Sequence, residues 1–468
     1  NSTLNCGNLS LGWQNGRPNL CSQVFTMTNS TIHDGGNFLI AESAGSVGTF
    51  TIAGNSVVAC TGGNPMLMGL ASGATGTVVV ADNSIVTNNA WLSCGANGYG
   101  TLTLKGNARY VENSDFNFGD YGAAGTVGIL NLQDNASVLT TGGGTYIGKT
   151  AGSFGYVNQS GGILNARASG VFQLGQSTGS YGQYTQTGGT NYAGGWLSIG
   201  RGSVNNDTSV GLYVISGGLL DQTGLGNGLI VGEQGNGTLT ITNSAKVISE
   251  ANNSGIGVAI GWNTGTGTLN LDGGTLVANY IQGGTGNSTF NFNGGLLQAG
   301  ANARLNFISN VTQVYLYNSS VIDTVTNDIA ISSGIYDGGV GGTLTKNGNG
   351  ALLLDGVNYY SGATLVNDGT LNVRNAGALG TTSGVTVTAG GSLQLQGGVI
   401  IASTPLTLNG TGSLNGNGAL DNAGGTNTYA GPITLGSDAA SSASSGTLNI
   451  TGSTPIAGAG LGLTLTGA

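Results

Sequence analysis

GTFTIAGNSVV, residues 48–58, alternates apolar and small polar side chains, turns at Gly-Asn-Ser and resumes with two valines. The phrase returns as GTVVVADNSIV (76–86), GTLTLKGNARYV (100–111) and GILNLQDNASVL (128–139). Working outward, it is also present in VFTMTNSTI, GYVNQSGGIL, GQYTQTGGTNY, GLYVISGGLL, GTLTITNSAKVI, GTLNLDGGTLV and STFNFNGGLL. Aligned, these segments give one apolar column: Phe25, Phe50, Val78, Leu102, Leu130, Val157, Tyr184, Tyr213, Leu239, Leu269 and Phe290. Two residues on lies a second: Met27, Ile52, Val80, Leu104, Leu132, Gln159, Gln186, Ile215, Ile241, Leu271 and Phe292. Thr, Asn or Val stands between them. Successive members are 21 to 30 residues apart.

Each period holds two further apolar bursts. One follows the Gly or Asn turn, as in Val57-Val58 and Leu219-Leu220; the other resembles MLMGLAS or LIVGEQG. Three short strands in roughly 27 residues, separated by Gly and Asn turns, describe one coil of a β-solenoid. The expected fold is therefore all-β, a single-stranded parallel β-helix, and right-handed. Alternate side chains of a strand face opposite ways, so the two apolar columns point inward and the Thr/Asn column outward. Stacking coils at ~4.8 Å pairs each backbone N–H and C=O with the neighbouring coils. Eleven coils would extend roughly 50 Å. A propeller blade needs about 40–50 residues, too many for this period. A two-sheet sandwich would lack the columns.

Composition agrees. Charged residues make up 6% of the chain against about 25% in an average soluble domain, and glycine contributes 92 of 468 residues. Disorder is argued against by a 38% hydrophobic content arranged in short alternating runs. The net charge is −9 with ten basic residues scattered singly, which excludes a nucleic-acid footprint and a polybasic lipid contact. No apolar run approaches the ~18 residues of a membrane span. The opening NSTLNCGNLS does not read as a signal peptide, so the chain is expected to begin after processing or inside a longer precursor.

Cys6, Cys21, Cys60 and Cys94 match no metal or thioredoxin spacing. Their even number in a charge-poor chain favours disulfides, with Cys6–Cys21 and Cys60–Cys94 closing the shortest loops and free buried thiols as the alternative. Gln159 and Gln186 interrupt the second inward column in adjacent coils. They are expected to form an interior amide ladder, hydrogen-bonded to each other, rather than a polar binding spot.

Residues 341–373, GGTLTKNGNGALLLDGVNYYSGATLVNDGTLNV, carry a more specific pattern. Leu344-Thr345-Lys346, Gly348, Gly350, Ala351 to Leu354, Gly356, Asn358-Tyr359, Ser361-Gly362, Thr364, Val366 and Gly369-Thr370-Leu371 resemble the autotransporter-associated β-strand repeat, the passenger-associated transport repeat of bacterial secreted β-helical proteins. The resemblance implies a β-helical stalk exported to the cell surface, with the motif aiding ordered secretion and folding. Members often end in an outer-membrane barrel, whereas this chain stops at Leu463 to Ala468 with no barrel strands, as a fragment of a larger polypeptide would.

Chemistry is sparse. Glycoside hydrolysis needs two carboxylates about 5–10 Å apart, and lyases need Asp clusters with Ca²⁺ and a base. The one acid cluster, Glu112, Asp115 and Asp120, sits where a turn with a solvated face is expected. His33 is the sole histidine and reads as a surface residue. Nucleophile, metalloprotease, phosphate-loop and EF-hand motifs are missing. No catalytic residue, cofactor or metal is therefore expected. Trp91, Trp196, Trp262, Tyr181, Tyr192 and Tyr359-Tyr360 could stack on sugars but share no column, so partial burial at corners is expected. A Thr-x-Thr ice-matching array is interrupted by Ile129, Tyr156, Gln183 and Leu212.

The sequence therefore divides into a lead-in or capping segment (1–22), regular coils (23–300), transitional coils (301–340), the passenger repeat (341–374) and less regular coils (375–468). The expected function is mechanical: a non-enzymatic extracellular stalk, adhesin shaft or matrix filament at a bacterial surface. Its expected partner is itself, end to end or side by side, or the rest of a longer chain. A glycan-binding adhesin and a carbohydrate-active β-helix are the rival readings.

Overall fold

The structure, a computed structural model, describes residues 2–12, 22–122, 124–223, 228–250, 257–414, 417–454 and 456–467. Among the described residues it is all-β without a helix, a parallel β-solenoid of about 17 turns with about 26 residues per turn. One turn shows the plan: strands Val47–Ala53, Val57–Cys60 and Met66–Met68 follow one another around the coil. Each pairs in parallel with the equivalent strand one turn on, Thr75–Val80, Ile85–Asn88 and Leu92–Cys94.

Register is what makes the columns real. Phe25 pairs with Phe50, Phe50 with Val78, Val78 with Leu102, and Leu102 with Leu130. The series continues through Val157, Tyr184, Tyr213 and Leu239 without a slip. All of these from Phe50 onward are fully buried, as are Leu269 and Phe290, whereas Phe25 is 37% exposed. Phe25 lies on the first described strand of its sheet, so it has Phe50 on one side, with ring centroids 5.3 Å apart, and no described strand on the other. The remaining strands close the core: Phe38 meets Phe50 at 5.6 Å, and Phe116 meets Phe118 edge-on at 4.7 Å.

The sharp corners depend on glycine. Gly119 turns at φ 69°, and a Cβ there would stand 2.5 Å from the carbonyl oxygen of Phe154 in the next coil. Gly128 has an ordinary φ but approaches the Cys94 carbonyl so closely that a Cβ would lie 2.2 Å from it. Neither position accommodates a side chain without moving backbone. At another corner, asparagine amides chain from coil to coil: Asn55 donates to Asn29 at 3.4 Å, Asn83 to Asn55 at 3.2 Å, Asn107 to Asn83 at 3.1 Å and Asn135 to Asn107 at 3.4 Å.

The chain forms two compact units. One comprises residues 1–269 and 284–287, the other residues 270–283 and 288–468. In the second unit some corners straighten. Thr364–Val373 is a ten-residue strand that pairs with both Thr343–Asn347 and Ala351–Leu354, and it is followed by the twelve-residue Val385–Gln396. A register shift between Val366 and Asp368 absorbs the bend.

Replacing Leu130 by Ala removes a fully buried rung between two apolar neighbours and is expected to cost about 2–5 kcal/mol in urea denaturation. Thr77→Ala, at a half-buried outward position two strands away in the same sheet, should stay within about 0.5 kcal/mol of wild type.

Candidate functional site

Cys60 and Cys94 do not form a disulfide. Both are free and buried, half-buried Cys6 is also a free thiol, and Cys21 lies outside the described residues. The two buried cysteines belong to different columns: Cys60 pairs with Asp34 and Asn88, and Cys94 with Met68 and Phe118. Burial pushes each thiol up to about 12, so neither is a ready nucleophile.

The glutamine reading also needs correcting. Gln159 and Gln186 are in register with each other, yet their amides do not bond together. Gln159 Nε2 donates to the carbonyls of Gly162 and Thr190 at 3.2 and 3.1 Å, and its Oε1 accepts from the Tyr184 hydroxyl at 2.6 Å. Gln186 repeats the arrangement one coil on, with Gly189, Leu219 and the Tyr213 hydroxyl. Tyr184 and Tyr213 stack face to face at 4.5 Å. A tyrosine in the first column has brought a partner to the glutamine in the second, so each amide uses both its donor and its acceptor.

The acid cluster is not a solvated face. Glu112 is fully buried and Asp120 is 6% exposed, while Asp115 is partly exposed. Glu112 continues an inward column whose register members are Cys6, Asp34, Cys60, Asn88 and Thr140. Its carboxyl accepts from Asn88 Nδ2 at 2.9 Å, Tyr110 Oη at 3.2 Å and Ser114 N at 3.3 Å. Desolvation outweighs those bonds and holds the carboxyl well above the usual range. Asp115 and Asp120 instead flank Lys149, with N–O separations of 3.2 and 3.9 Å, and the Lys149 ammonium also lies 4.7 Å from the centre of the Tyr146 ring. His33 is exposed.

Of the aromatic candidates, Trp91, Trp196, Trp262, Tyr181 and Tyr192 are half-buried, Tyr360 is fully buried and Tyr359 is 53% exposed. Tyr359 is not isolated. It stacks on Tyr336 at 4.9 Å, and Tyr336 lies 6.2 Å from Tyr315, so three tyrosines from successive coils line up on the outer surface. Alignment of the first eleven coils alone could not show this column, because Tyr336 and Tyr359 fall beyond them.

The second unit holds two features that the apolar columns did not reveal. Lys346 is fully buried between Ile322 and Val366 of the adjoining coils. Its Nζ donates to the carbonyls of Asn347, Gly348 and Asp368 at 3.0, 2.7 and 3.0 Å, three acceptors for the three protons of an ammonium. Desolvation lowers it to about 8, against the pull of Asp323, Asp368 and Asp328. By period two, Leu344 and Lys346 share the inward face, a signal present in the sequence.

On the outer side of the same coils is an open polar groove of about 380 Å³. Strand register sets Leu353 beside Asn372, Asn372 beside Gln394, and Gln394 beside Asp421. Asn372 Nδ2 donates to Gln394 Oε1 at 2.9 Å and Gln396 Oε1 at 3.1 Å, while Gln394 Nε2 donates to Asp421 at 2.8 Å. Arg374 lies beside them, its Nε on Gln396 Oε1 at 3.0 Å.

Residues 344–373 match the family model of the passenger-associated-transport-repeat. No curated protein and no solved structure matches the chain significantly. A passenger repeat set in a β-solenoid is the arrangement of an autotransporter passenger, and it points to an extracellular or surface location. Among the described residues, no helix is long and apolar enough to cross a membrane.

Two pH responses follow from the buried charges. The Glu112 carboxyl keeps its proton in the folded state above the pH at which an unfolded glutamate loses it. Its contribution is thus fully present below about 4.5 and is lost as pH rises through its folded value. Glu112→Gln should therefore unfold at higher denaturant than wild type at pH 7.5, with the advantage shrinking at pH 4. For Lys346 the unfolded state binds the extra proton between about 8 and 10.5, so stability rises with pH there. Wild type should gain about 2–3 kcal/mol on Lys346→Met between pH 7 and pH 10, read from paired denaturation curves.

Proposed function

We propose that this chain is a non-enzymatic structural passenger, a β-solenoid stalk or filament subunit at a bacterial surface or in its matrix. One observation carries the reading: the inward column from Phe50 to Leu239 runs through eight successive coils in unbroken register and is fully buried throughout. Such a stack resists bending because tilting one coil breaks a whole row of inter-coil hydrogen bonds at once. The passenger repeat supports an exported, surface-borne role. The pairing of Asp115 with Lys149 and the inward turn of Glu112 support a structural use of the acid cluster.

The stalk is proposed to join end to end with further copies or with the rest of a longer chain, because an open solenoid edge offers unpaired N–H and C=O groups for parallel strand addition. Electron microscopy of the purified chain should show stiff, elongated particles joined through their ends. Compact particles, or discrete rods without end contacts at high concentration, would contradict the stalk and its self-association respectively.

A further inference from the structure

We infer that the polar groove on the outer face of the passenger repeat is a binding site for a short, uncharged oligosaccharide. The volume of about 380 Å³ falls within the range of ligand clefts and suits two or three sugar rings rather than a macromolecule. Its lining combines what a sugar presents. Asn349, Asn372 and Gln394 offer planar amides, Thr370 a hydroxyl, and Leu305 and Leu353 apolar contact for the C–H face of a ring. Leu305 is 56% exposed, so its side chain is accessible to such a ring.

Asn372 gives the second, independent pointer. It is only 5% exposed, and its amide donates to two glutamines, yet its Oδ1 has no hydrogen-bond partner. A buried acceptor left unmade costs about 1–3 kcal/mol, and a ligand hydroxyl would recover it. The formal charges on the lining balance. Asp328 already accepts from Ala351 N at 2.8 Å, and Arg374 is engaged by Gln396 and lies 3.9 Å from Asp355. Neither a polyanion nor a polycation finds a net complement there, whereas a neutral polyol finds donors and acceptors in alternation.

The inference is independent of the stalk reading, since a stalk without a sugar site and a sugar site on a compact particle are separately observable. Saturation-transfer NMR on the full chain, with maltotriose, cellotriose, N-acetylchitotriose and trigalacturonate as probes, tests it. At least one neutral trisaccharide is expected to receive saturation at low millimolar concentration. Asn372→Leu, nearly isosteric but without the acceptor, and Gln394→Ala should each weaken that binding at least tenfold while circular dichroism stays that of wild type. Tyr336→Ala, on a different surface column, should leave it unchanged. No transfer to any neutral probe at 20 mM, transfer to trigalacturonate alone, or equal binding by folded Asn372→Leu and Gln394→Ala would each overturn the proposal.

Discussion

Everything in this molecule follows from parallel hydrogen bonding between consecutive coils in strict register. A strand of a solenoid can satisfy its N–H and C=O groups only on the coil before and the coil after it. A one-residue slip would turn every inward side chain out, so the period must be held coil after coil even when loop lengths differ. Glycine does this at corners where a neighbouring carbonyl leaves no room for a Cβ, and asparagine does it where amides can chain along the axis. The low charge of the chain is a consequence, because like charges repeated at strand spacing would repel along an entire column.

The same constraint decides how polar residues survive inside. A side chain in an inward column has fixed neighbours: the residues above and below it, and those of the two other faces. Gln159 and Gln186 are tolerated because Tyr184 and Tyr213 place hydroxyls at their acceptors. Lys346 is tolerated because three carbonyls from its own turn and the next converge on its ammonium. Glu112 is tolerated because Asn88 and Tyr110 donate to its carboxyl. In each case the partner lies about one coil away in sequence or a few residues away along the strand, so these groups tie particular coils to one another. They are registry devices as much as stabilising ones.

The columns were legible in the sequence because alternation at period two and recurrence at about 27 residues are both local enough to align by eye. The polar partners were not, for identifiable reasons. The Gln159–Tyr184 bond joins different columns, so aligning each column separately hides it. Glu112 looked like a turn residue because Asn113-Ser114 follows it, although counting by two from Tyr110 puts it on the inward face. The disulfide expectation came from the parity of the cysteine count, which carries no geometry; register shows Cys60 and Cys94 on different faces. The groove around Asn372 had no signature, since amides and hydroxyls are common everywhere in this chain and only the straightened strands of residues 364–373 and 385–396 set them side by side.

The most direct test of coil stacking is a set of electron–electron distances between spin labels on one outward column of the first unit. Residues 51, 79, 103, 131, 158, 185, 214 and 240 succeed one another in register. Labels at 51 and 158, four rungs apart, should therefore lie about 19 Å from each other, and labels at 51 and 240, seven rungs apart, about 34 Å. Narrow distributions that grow linearly with rung number are the predicted result. Broad distributions, or separations that do not increase with rung number, would contradict the account.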